Sequence, residues 1–123
     1  MAQSDDPIAT LVAKVESTRV KHGDASHFLV FDMLAEAGHN PAIAKTLRDH
    51  SQALRSRFAA YLRKAQESGH IDRSLDADLA AAVLMSAVDG AKALGIRDPK
   101  LSKAGISEHL KILISRFLTP AQK

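Results

Sequence analysis

Three observations predict an all-α domain, a bundle of about five helices. Capping carboxylates or amides followed by proline mark helix starts at Asp6-Pro7 and Asn40-Pro41, and Gly23, Gly38 and Gly69 mark stops. Apolar residues between these marks recur at helical spacing. Strand signals are almost absent.

The first helix opens at Pro7 and carries Ile8, Leu11, Val12 and Val15 toward Gly23. Asp24 caps the second, which carries Phe28, Leu29, Phe31, Leu34 and Ala35 and stops at Gly38. The third starts at Asn40-Pro41 and runs through Ile43, Leu47, Leu54, Phe58, Tyr61, Leu62 and Ala65 to Gly69. A loop from Gly69 to Asp76 ends in a capping carboxylate for the fourth helix, Ala77 to about Leu94, which Gly95-Ile96-Arg97-Asp98-Pro99 breaks. The fifth runs from about Ser102 to Leu118 and closes before Pro120. The expected organisation is therefore a flexible start at 1–6, one helical domain over 7–120 and a short tail at 121–123.

Composition narrows the function classes. A chain of 123 residues holds one domain and is long enough to fold without staples. The absence of Cys excludes disulfides, thiolate metal sites and a cysteine nucleophile, and fits the cytoplasm. Aromatic residues make up only 4%, with no Trp, which argues against base-stacking platforms. No uninterrupted apolar run approaches the ~18 residues of a membrane span, and the N-terminus lacks the pattern of a secretory signal. Seventeen Lys and Arg against 14 Asp and Glu leave a surplus of +3, with the basic residues scattered among acids. The densest group, Arg55, Arg57, Arg63 and Lys64, reads as a solvated helix face; a DNA-binding stripe over Ser51–Lys64 is the weaker alternative.

The fourth helix is apolar around most of its circumference, with Leu79, Val83, Leu84, Met85, Val88, Ala91 and Leu94. Such a helix must be covered on more than one side. Ser86 and Gly90, and Ala87 and Ala91, are small pairs four residues apart that let another backbone approach. The fifth helix is similar, with Ile106, Leu110, Ile112, Leu113, Ile114, Phe117 and Leu118. Three amphipathic partners cannot smother both, so the surplus predicts a symmetric homodimer in which these two helices and their mates form a four-helix bundle. The expected interface is Leu84, Ala87, Val88, Gly90, Ala91, Leu94, Ile106, Leu110, Leu113, Ile114 and Phe117.

Other constellations are weaker. Glu36 with His39 and Glu67 with His70 both read Glu-x-x-His, but a Gly at a helix end lies inside each, which displaces the His from the mid-helix geometry of a di-iron bundle. No metal and no cofactor are expected. His22, His27 and His50 stand alone, and no nucleophile elbow or phosphate loop occurs, which disfavours an enzyme. The stretch Ile43–Leu54 mimics a helix-turn-helix, with Arg48-Asp49-His50 where the turn needs Gly. The sevenfold spacing of Leu47, Leu54 and Tyr61 favours one unbroken helix.

The run from Leu34 to Leu54 resembles the C-terminal domain of tetracycline-repressor-type (TetR family) transcriptional regulators, with a Leu-x-x-Glu-Ala-like segment, a Pro break and a long helix. Ala65–Ile71, Leu75–Ala81, Val88-Asp89-Gly90 and Arg116–Pro120 follow in the family's order, so the likeness spans about Asp6 to Pro120. It implies a ligand-sensing and dimerisation half that reaches DNA only through an N-terminal helix-turn-helix domain, for which nothing upstream of Pro7 provides. It further implies that the last two helices form the dimer bundle, and that the earlier ones surround a pocket for a small apolar effector. That pocket would lie among Leu11, Val15, Phe28, Phe31, Phe58, Tyr61, Leu62 and Met85, with Tyr61 and His27 orienting the ligand. The alternative is a stand-alone interaction protein that forms mixed dimers with full-length regulators.

Overall fold

The computed structural model describes Thr10 and residues 32–121. A helical run at 32–37 precedes three complete helices: α1 (Pro41–Glu67), α2 (Ala77–Arg97) and α3 (Lys103–Leu118). Among the described residues all regular structure is helical, as the sequence predicts. The expected helix from Pro7 to Gly23 and most of the one from Asp24 to Gly38 lie outside the described residues.

Each start follows the expected capping chemistry. The Asn40 side chain accepts from the backbone N–H groups of Ala42 and Ile43 at 3.1 and 3.3 Å, with Pro41 in the first turn where no N–H is needed. Asp76 accepts from Leu79 N–H at 3.0 Å, and Ser102 from Gly105 N–H at 2.9 Å. α1 ends in a Schellman arrangement: Gly69, at φ 80°, donates to Gln66 O and His70 donates to Ala65 O, both at 3.0 Å. A left-handed residue is needed there, which glycine supplies without strain.

α1 is continuous for 27 residues across Ile43–Leu54. The helix-turn-helix alternative is thereby overturned: Arg48, Asp49 and His50 are helical, and the Thr46 hydroxyl donates to Ala42 O inside the same helix. α2 departs from expectation at its other end, passing through Gly95 and closing only at Arg97, where Asp98 N–H donates to Leu94 O. A helical Gly costs about 1 kcal/mol relative to Ala, too little to stop a helix before Pro99 does.

The core lies where the last third of α1, the first half of α2 and the last turns of α3 meet. Ala59, Leu62 and Ala65 of α1 face Ala77, Ala80, Ala81 and Leu84 of α2, with Leu110, Ile114 and Leu118 of α3 and Ile71 of the loop. The α2 alanines keep that contact narrow, so leucines and isoleucines from both neighbours fill the space. α2 is long and apolar enough, by length and composition, to cross a membrane, yet Ala77, Ala80, Ala81 and Leu84 are packed into this core.

Loop 68–76 ties the three helices together. The Gln66 amide donates to Asp72 O at 3.0 Å and Leu75 O at 2.8 Å. Arg73 donates to Gln66 O at 2.8 Å and Glu67 O at 3.2 Å, placing a cation on the negative end of α1. Asp72 N–H donates to Leu118 O at 2.9 Å, joining the loop to the end of α3. The backbone N–H of Ser74 and then its hydroxyl donate to the Asp72 carboxylate, at 2.9 and 2.8 Å, and hold it below the usual carboxylate range. Because the folded pKa is depressed, this contribution is present above the unfolded value and is lost as pH falls through the folded one.

Two outcomes follow from this packing. Leu62, 1% exposed, sits at the centre of the junction; Leu62→Ala should cost about 2–5 kcal/mol in urea denaturation, and a cost under about 1 kcal/mol would place the core elsewhere. In a carboxyl-detected NMR titration Asp72 should titrate below its ordinary value of 3.8, and Ser74→Ala should move the midpoint upward. An unchanged midpoint in the variant would show that the Ser74 hydroxyl does not hold the carboxylate.

Candidate functional site

The largest exposed apolar side chains of the α2–α3 hairpin mark the candidate surface. On α2, Leu79 is 66% exposed and Val83 55%. Ser86 and Gly90 continue the line at intervals of three and four residues, which places all four on one face of the helix. An added Cβ at Gly90 would meet no atom within 4 Å. The close approach expected at this glycine is therefore not made to α1 or α3; the backbone there is bare. On α3, Leu113 is 52% exposed, and Ile106 and Phe117 share its face at intervals of seven and four residues, both half-buried. His109 stands four residues before Leu113, its Nδ1 donating to Gly105 O at 2.8 Å.

The structure divides the residues expected at a dimer interface. Leu84, Leu110 and Ile114 lie in the chain's own core, where their contacts are already made. Ala87, Val88, Ala91 and Phe117 are partly buried against that core. Leu94 and Ile106 are half-buried, while Gly90 and Leu113 are open to solvent. Leu79 and Val83 were missing from the expected set, although each is fractionally more exposed than any large apolar residue in it. Their signal was in the sequence: they sit seven and three residues before Ser86, on the same face as the small pair Ser86 and Gly90.

The residues expected to line a pocket also divide. Leu62 belongs to the core. Phe58 packs partly against it, Met85 is half-buried and Tyr61 is at the edge of exposure. Leu11, Val15, His27, Phe28 and Phe31 lie outside the described residues. Leu54, exposed on α1, aligns with Leu47 and Tyr61 at intervals of seven, so an apolar stripe continues along α1 beyond the reach of the core.

The paired glutamates and histidines are engaged locally. His39 lies 3.3 Å from Glu36, both well exposed, and His70 Nδ1 lies 2.8 Å from the Ser68 hydroxyl. Among the described residues no three His, Cys, Asp or Glu side chains gather in a metal-binding arrangement.

Comparison with known proteins adds one finding. A family model described as the C-terminal part of BetI-type transcriptional repressors, one of the TetR C-terminal families, matches residues 22–119. Searches of curated proteins and of solved structures returned no match.

Proposed function

The chain belongs to the family of BetI-type transcriptional repressor C-terminal domains, and on that premise we propose that it pairs with a second copy of itself through the outer face of α2 and α3 and senses a small apolar effector. The family is one of transcriptional regulator domains and not of enzymes. The observation that carries the dimer is the exposure of Leu79, Val83 and Leu113 on the two helices that already supply most of the core. Each side chain of that size is worth about 1.5–3 kcal/mol when fully covered, and a two-fold axis covers each residue twice over. The open backbone at Gly90 lets an opposing helix come near. The interface so assigned is Leu79, Val83, Ala87, Gly90, Leu94, Ile106, Leu113 and Phe117; Leu84, Leu110 and Ile114 support it from beneath.

The effector site is assigned beside the core, where α1 and α2 adjoin. Phe58, Tyr61 and Met85 contribute to it next to Leu62; the other expected residues, Leu11, Val15, His27, Phe28 and Phe31, lie outside the described residues. An apolar enclosure with one or two polar groups suits a small organic molecule. Binding there affects DNA occupancy to the extent that the effector favours one arrangement of the paired helices over another. The reading places this protein in the cytoplasm, with DNA contact made through a separate domain.

Val83→Glu and Leu113→Glu should each convert a particle of twice 13.2 kDa to one of 13.2 kDa by light scattering, with helical circular dichroism retained. Gly90→Leu should do the same by filling the approach between helices. Small apolar compounds should raise the unfolding free energy by about 2.7 kcal/mol at a hundredfold excess over Kd. A single-chain mass for the unaltered protein would contradict the dimer, and indifference to every apolar compound in a broad panel would contradict the sensor.

A further inference from the structure

The outer side of α2 carries one continuous line of residues. Leu79, Val83, Ser86, Gly90, Ala93 and Arg97 follow one another at intervals of three and four residues, so they share a face. Along that line the side chains first shrink and then change character. Leu79 and Val83 are large and well exposed, Ser86 and Gly90 are small and open to solvent, and Arg97 closes the helix. An added Cβ at Gly90 would meet nothing within 4 Å, so this glycine leaves a dent in the line.

The charges of α2 are also divided by end. Asp76 and Asp78 stand at its start and Arg97 at its finish. Asp78 is held by Arg63 at 2.9 Å, whereas Asp76 uses a carboxylate oxygen to accept from Leu79 N–H at 3.0 Å. This polarity distinguishes the two ways in which α2 can meet its copy across a two-fold axis. A parallel pair sets Arg97 against Arg97 and aligns the two helix dipoles. An antiparallel pair sets Arg97 against the acidic start of the partner helix and opposes the dipoles.

One antiparallel register satisfies size and charge together. Val83 placed over the partner's Gly90 puts the axis beside Ser86, because in a two-fold contact each residue's relation to the other chain is returned by its copy. The same register sets Leu79 level with the partner's Ala93 and Leu94, and Arg97 level with the partner's Asp76. We infer that α2 crosses its copy antiparallel at Ser86, with Val83 seated on the bare backbone of the partner's Gly90 and Arg97 beside the partner's Asp76. This rests on the pairing proposed above and adds its register. With only Ser86 and Gly90 at the crossing, the helix axes come to the short end of the ~8–10 Å found between packed helices.

The chain has no Cys, so single cysteines in the full chain report the register through disulfide formation under mild oxidation. A disulfide needs Cα atoms within about 7 Å. Ser86→Cys, at the axis, should form a covalent dimer on a non-reducing gel. Val83→Cys and Gly90→Cys are each offset from their own copies by about 10 Å along the helix. Each alone should remain a single chain, while an equimolar mixture of the two should cross-link about tenfold faster than either. Arg97→Glu sets like charges together at both ends of the crossing and should weaken dimerisation about tenfold, the sum of two surface ion-pair contacts. In a sample that light scattering shows to be dimeric, three results would overturn the register and leave the dimer standing. These are no cross-link from Ser86→Cys, cross-linking of Val83→Cys or Gly90→Cys alone as fast as the mixture, and an Arg97→Glu dimer as tight as the unaltered one. A single-chain mass for the unaltered protein would remove the pairing and the register together.

Discussion

α2 carries small or apolar side chains around most of its circumference, and α1 and α3 cover only one side of it. The rest of the fold follows from that imbalance. Ala77, Ala80 and Ala81 offer their neighbours a shallow surface, so Leu62 from α1 and Leu110, Ile114 and Leu118 from α3 can meet around them. The same geometry turns Leu79 and Val83 outward, where water meets a surface that a second chain of the same kind would cover.

The polar contacts serve that packing by fixing where α2 begins. Gln66, Arg73 and Asp72 bind the loop to the end of α1 and to the last carbonyl of α3, while Asp76 caps α2 as it leaves. Loop and core therefore act at the same end of the bundle. Family membership makes the chain a C-terminal domain of a transcriptional regulator.

Much of this was legible in the sequence because caps and breakers act locally. Asn40 and Asp76 cap the helices they were expected to cap, and Ser102, expected only as the start of the last helix, caps it too, since each needs only a side-chain oxygen within reach of the next turn. The unbroken α1 was legible from the spacing of Leu47, Leu54 and Tyr61. The phase of α2 was not. A helix apolar all round gives no contrast between its sides, so Val83 and Leu84, adjacent in sequence, read alike although one is exposed and the other buried. The same difficulty placed Leu110 and Ile114 at an outer interface when they belong to the core. Gly95 misled as a stop because its cost is small beside the hydrogen bonds of a helix that continues. The loop contacts of Gln66 and Arg73 had no sequence signature, because they depend on a turn whose shape only the folded chain defines.

The central claim is that the outer face of α2 meets its own copy. The chain has no Cys, so a single spin label at Ser86→Cys reports from that face alone. Dipolar electron resonance should show an interspin distance set by the ~10 Å axial spacing of packed helices plus the reach of the two labels. The same label at Arg57→Cys, on α1, should give a longer distance. No dipolar coupling at Ser86 in a concentrated sample, or a shorter distance from position 57 than from position 86, would contradict the account.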